Sequence, residues 1–130
     1  MDLPPLRNAV AQNKKIKTVN AMHLASVALD IWRLRKRVTK LSDKIDENSL
    51  KPLIYALDSC ERNLKSSGIE TKDDYTGKVY KTSMNVDIIT YESEKMQTDE
   101  PIIKETIEPA VLIQNELVYK AKVIIVTPKK

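Results

Sequence analysis

The sequence predicts an α+β protein: a parallel coiled-coil helical stalk, a short helix, then a small antiparallel β head. Three observations predict it. Apolar residues recur at alternating steps of three and four from Leu24 to Ile45. A shorter apolar stripe follows a break at Asn48-Ser49. After Thr82 the period becomes alternating and β-branched residues take over.

The stalk rests on Leu24, Val27, Ile31, Leu34, Val38, Leu41 and Ile45. With Leu24 as heptad position a, the a residues are Leu24, Ile31, Val38 and Ile45, and the d residues are Val27, Leu34 and Leu41. β-Branched side chains at a with Leu at d favour a parallel two-stranded coil, because of how each enters the hole on the facing helix. Asp30 at g and Arg35 at the following e can pair across such an interface. A homodimer is therefore expected; the alternative is an amphipathic helix packed within one globular domain. Thr18 or Asn20 supplies an N-cap. A helix from there to about Asp46 is a rod of roughly 40 Å. Ahead of it, residues 1–18 read as a flexible N-terminal tail, with Pro4 and Pro5 blocking helix and Lys14, Lys15 and Lys17 favouring water.

Pro52 falls in the first turn of the next helix, which carries Leu50, Leu53, Leu57, Cys60 and Leu64. Cys60, on that stripe, reads as a small buried hydrophobe. Gly68 suits the left-handed position after the helix. From Ile69 to Thr82 no period is visible, and Asp73-Asp74-Tyr75-Thr76-Gly77 reads as a turn. Strands are expected at Met84–Tyr91, Ile102–Ile107, Val111–Ile113, Leu117–Tyr119 and Val123–Val126. Gln114-Asn115-Glu116 would form a tight hairpin turn, with Asn115 at positive φ. The domains are thus 1–18, the tail; 19–67, the helical dimerisation stalk and short helix; and 68–130, the β head.

Composition narrows the function. The chain has 130 residues, two glycines, one cysteine and no Phe. Two glycines leave no room for a Gly-rich phosphate loop. A single cysteine fits a reducing cytoplasm. No apolar run is long enough to span a membrane. His23 stands apart from any Cys or carboxylate at ligand spacing, and Asp73-Asp74 falls short of a calcium loop. No Ser-His-Asp arrangement, metal set or cofactor fingerprint is present, so a non-enzymatic binding protein is expected. The first 48 residues hold ten Lys/Arg against five Asp/Glu, and the remainder is close to neutral.

Two stretches resemble the GrpE-type nucleotide exchange factors of DnaK-type chaperones. Leu53-Ile54-Tyr55-Ala56-Leu57-Asp58-Ser59-Cys60-Glu61-Arg62-Asn63-Leu64 is similar to the family's short-helix motif, Leu-Leu-Pro-Val-Leu-Asp-Asn-Leu-Glu-Arg-Ala-Leu. Asp58, Glu61, Arg62 and Leu64 carry the match, and Tyr55 stands at the family's proline. Ile103 to Val126 is similar to the family's final β-wing: Ala121 and Val123 to Val126 hold, while Ala110-Val111 replaces Gly-Tyr and Tyr119-Lys120 replaces Arg-Pro. Gly68-Ile69-Glu70 resembles the Gly-Val-Glu leading into the wing. Arg35-Lys36-Arg37 is similar to the basic cluster on the family's long helix. The resemblance covers about residues 32–126.

It implies a parallel helical dimer with paired β-wings, acting as a co-chaperone in the cytoplasm. Such a factor binds the open form of a DnaK-like chaperone ATPase and promotes ADP release. It also implies partner contacts at Arg62 on the short helix, Ile107 and Glu116 on the wing, and Arg35 and Arg37 on the stalk. Plainer roles stand beside these: solvated helix surface for Arg62, β core for Ile107, a turn for Glu116. The chain departs from the family in a shorter rod, in a single short helix before Gly68, and in Glu116 at a position that is often Arg. The last points to a specialised partner. From the residues alone, a coiled-coil nucleic-acid-binding protein using Arg33 to Arg37 and the Lys-rich tail, or a structural adaptor, is the alternative. Against nucleic acid stand the slightly acidic head and a basic cluster that shares its helix with the seam.

Overall fold

A computed structural model describes residues 6–129, with side chains described from Ala21 onward. Helix α1 runs Leu6–Leu41. It starts earlier than Thr18 or Asn20, because nothing between Leu6 and Leu41 breaks a helix: the segment has no glycine and no proline. Its far end comes sooner than Asp46. Ser42–Lys44 tightens into one 3₁₀ turn, Ile45 is extended (φ −109°, ψ 133°), and Asp46 becomes the N-cap of α2, Glu47–Ser66. The Asp46 carboxylate accepts the Ser49 N–H at 3.1 Å. This local bond satisfies an orphan donor of α2 that a continuous helix would not offer.

Two expectations change as a result. Ile45 lies off the helix and is not a seam residue. Pro52 sits past the first turn, where it withholds a helical N–H.

α2 folds back along α1 and buries Leu57, with Leu50, Ile54 and Leu64 half-buried. The expected stripe is only partly right, since Leu53 is 45% exposed and Cys60 is exposed. The buried line passes through Ile54 and Glu61, one position round from Leu53 and Cys60. α2 ends as foreseen: the Ser67 N–H donates to Asn63 O and Leu64 O, and Gly68 takes φ +80°.

The described residues of the head form six strands in two sheets, and the head is not purely antiparallel. β1 (Ile69–Lys72), β4 (Ala110–Ile113) and β5 (Glu116–Tyr119) form an antiparallel sheet in the order β1-β4-β5. β2 (Val86–Glu94), β3 (Ile102–Glu108) and β6 (Ala121–Pro128) form the second, in the order β2-β6-β3. There β3 is antiparallel to β6, but β2 is parallel to it, with Val86 opposite Ala121 and Glu94 opposite Pro128. β3, β4 and β5 form the long crossover that a parallel pair requires. β6 takes the centre because its run from Val123 to Val126 is apolar on both faces. β1 escapes periodicity because only Ile69 of its four residues is buried. Gln114 and Asn115 close the β4–β5 turn at φ 52° and 65°, the paired left-handed geometry of a two-residue hairpin.

Two apolar cores result. Ala25, Ala28 and Leu29 of α1 meet Ile69 and Val111, the alanines letting the first sheet come close. Ile103, Ala110, Ala121, Val123 and Ile125 form the second core, against which Tyr75, Tyr80 and Met84 of the β1–β2 connection pack. That connection is tied to β3 by Gly77 N–H to Ile103 O (2.8 Å) and Ile103 N–H to Lys78 O (2.9 Å), and to the residue before β3 by Tyr80 N–H to Pro101 O (2.8 Å).

α1 keeps a second apolar face. Leu24, Val27, Leu34 and Leu41 are 38%, 48%, 52% and 47% exposed. They lie about 150° round the helix from the residues that hold the head, at 100° per residue. Of the other seam residues on the helix, Ile31 is half-buried and Val38 is buried within the chain.

Candidate functional site

The cation cluster of α1 is the best-organised polar part of the described surface, and most of it reaches inward. Arg35 pairs with Asp58 at 2.5 Å and, through Nε, with Glu61. Asp58 and Glu61 are one helical turn apart on α2, so their carboxylates meet one guanidinium. Those hydrogen bonds, the one to Glu61 above all, hold Arg35 protonated more firmly than a free arginine. Arg35 is thereby a clasp of the helical hairpin, and its partners are two of the residues that carry the short-helix resemblance.

Arg33 donates to Glu108 at the end of β3 (2.9 Å) and to Asp30 (3.2 Å). Glu108 also accepts the Tyr119 hydroxyl (2.9 Å) and lies 3.6 Å from Lys122. Lys36 sits 4.5 Å from the Trp32 ring and donates to the Thr106 carbonyl (3.4 Å). Trp32 Nε1 donates to Asp73 at 2.8 Å. Trp32, Arg35, Leu64, Lys65, Glu70 and Asp73 edge an open cleft of about 450 Å³ between the helices and β1. Arg37 is exposed and forms no ion pair among the described residues.

The other candidate contacts fall in two places. Arg62 is exposed on α2, about 8 Å along the axis from Ser67. The β4–β5 turn is bonded to that end of α2: the Gln114 N–H donates to Gly68 O (2.8 Å) and its side-chain amide to Ser67 O (3.3 Å). Exposed Glu116, next to this turn, therefore shares an end of the molecule with Arg62. Ile107 is half-buried on β3, between Thr106 and Glu108, whose partners are Lys36 and Arg33. The structure thus brings Arg62 and Glu116 to one end, and sets Ile107 beside the contacts of Arg33 and Lys36.

The inward ties of Arg33, Arg35 and Trp32 were not read from the sequence. One signal was available: Asp58 and Glu61, three apart on a predicted helix, form a pair suited to a single arginine. Glu108 and Asp73 offered none, because their partners, Arg33 and Trp32, lie 75 and 41 residues away in sequence.

Among the described residues, no set of His, Cys, Asp and Glu is placed to hold a metal ion, and no helix is long and apolar enough to cross a membrane. In comparisons with known proteins, no family model and no curated protein matches the sequence.

Proposed function

We propose that the protein is a non-enzymatic, homodimeric co-chaperone, a divergent exchange factor of the GrpE type that promotes ADP release from a DnaK-like ATPase. One observation carries the reading: α1 holds its own head with one face and presents Leu24, Val27, Leu34 and Leu41 at heptad spacing on another. A helix with both faces apolar can pair with a second copy and keep its head. The order of motifs supports the same reading, with the stalk first, the Asp58–Glu61–Arg62 helix next and the β4–β5 hairpin last.

The mechanism needs no chemistry on this chain. The factor binds the open cleft of the ATPase more tightly than the closed, ADP-bound form, and so shifts the population towards release. A hundredfold shift needs about 2.7 kcal/mol of differential binding. Arg62 and Glu116, at one end of the molecule, are the first contact assigned. Ile107 is a second on the wing, and Arg37 one on the stalk. Arg35 contributes by holding α2, and with it Arg62, in place.

Stopped-flow release of a fluorescent ADP from the DnaK-like ATPases of the source organism tests this. At least about tenfold acceleration by the wild-type protein is expected, a difference of about 1.4 kcal/mol. Arg62→Ala should slow that release while sedimentation shows an unchanged dimer. Absence of acceleration with every such ATPase would remove the exchange function.

A further inference from the structure

We infer that one face of α1 binds the phosphodiester backbone of a nucleic acid without reading its sequence. α1 carries nine lysines and arginines and a single carboxylate, Asp30. At its C-terminal end, Arg33, Lys36, Arg37 and Lys40 follow the spacing i, i+3, i+4, i+7, which puts all four on one face over about 10 Å. This face is distinct from the seam, so its cations remain presented if Leu24, Val27, Leu34 and Leu41 pair with a second helix. The fact that the cations share a helix with the seam is therefore no obstacle.

Of the four cations, Arg33 is paired, while Lys36, Arg37 and Lys40 are in no ion pair among the described residues. Two carboxylates reach it, Asp30 and Glu108, and both are on Arg33. Lys36 is steadied by the Trp32 ring and by a neutral carbonyl, which fix its position and leave its charge. Arg37 and Lys40 are exposed, and neither is in an ion pair among the described residues. Lys122, beside Glu108, adds a cation from the head.

The chemistry favours phosphate over an acidic protein. Between Asp30 and Leu41 this face carries no exposed apolar side chain to seat in a partner's pocket, and protein docking sites usually depend on such anchors. A row of like charges along a rod matches a polymer of evenly spaced negative charge. The aromatic ring nearby, Trp32, is already engaged with Asp73 and Lys36, so no base has a platform to stack on. Contacts limited to phosphate carry no sequence information. Arg37 lies both on this face and in the stalk contact proposed above, while Lys36 and Lys40 belong to this face alone.

Fluorescence anisotropy with the full-length protein tests it, using labelled duplex DNA and duplex RNA of unrelated sequences. Binding is expected at about 50 mM salt, weakening about a hundredfold by about 200 mM, as release of counterions from some four phosphates requires. Arg37→Glu with Lys40→Glu should weaken binding tenfold or more and flatten the salt slope. Lys81→Glu with Lys95→Glu makes the same charge change on the head and should do neither, and circular dichroism reports whether each variant is folded. No binding at the lower salt, equal loss with both double variants, displacement by polyglutamate as readily as by unlabelled DNA, or a strong preference for one sequence would each overturn the inference.

Discussion

Asp46 starts α2 where α1 has ended, at the level of one carboxylate. Its bonds from Ser49, the side-chain bond first and the backbone N–H second, hold it below the ordinary aspartate range. A depressed folded value means the cap stabilises fully above the unfolded value, near pH 4, and is lost as pH falls through the folded one. Asp46→Asn keeps an acceptor without the charge. Thermal unfolding across a pH series should show a shallower loss of stability below about pH 4 for that variant than for the wild type. An identical slope would mean that other carboxylates carry the acid sensitivity. Gly68 is the second residue on which geometry turns. Its φ of +80° disfavours any L side chain, and a Cβ there would also strike the Gln114 amide. Gly68→Ala should cost about 1–2 kcal/mol in denaturant unfolding. The Gln114 amide ends a flexible side chain that can move aside, so most of the loss should persist in a Gln114→Ala background. Full recovery there would locate the cost in crowding instead of backbone strain.

Among the elements, α1 is the one whose two faces were unequally visible. The exposed stripe was legible because Leu, Val and Ile recur at a fixed step. The face that holds the head was not, since it is built from Ala25 and Ala28, whose small side chains contribute little to any periodic signal yet are buried to 2% and 1% exposure. If the stripe pairs two copies, Val27→Glu with Leu34→Glu should convert a sedimenting dimer to a monomer with unchanged helix content, because neither residue supports the head. A dimer that survives both charges would place the interface elsewhere. The strands at Val86–Glu94, Ile102–Glu108 and Ala121–Pro128 were legible from alternation and β-branching, as was the hairpin turn through Asn115. Which strand lies beside which was not, because periodicity carries no information on pairing; the parallel match of β2 with β6 is set by the route of β3, β4 and β5. The candidate site divides the same way. Of the expected partner contacts, Arg62 and Glu116 are exposed, while Arg35 is spent on Asp58 and Glu61, 23 and 26 residues away.

The whole molecule combines a locally connected half with a remotely connected one. α1 and α2 are joined by a short turn and clasped by Arg35, so their contacts need little loop closure. The β2–β6 pairing joins Val86 to Ala121 and Glu94 to Pro128, a wider separation in sequence than the Arg35 clasp spans, and pairings of greater separation form more slowly. In refolding, the helical circular dichroism signal should recover before the amides of Val123–Val126 gain protection from hydrogen exchange. Simultaneous recovery would make the two halves one cooperative unit. The placement of β6 carries a consequence for synthesis. A strand made after all the others here occupies the middle of its sheet, with β2 and β3 bonded to either side. Until it leaves the ribosome those two have no common neighbour, and each keeps unpaired the edge to which β6 will bond. The helices emerge first and can form at once, so the nascent chain passes through an interval in which its helices are ready and its head is open to capture by whatever holds unfinished strands.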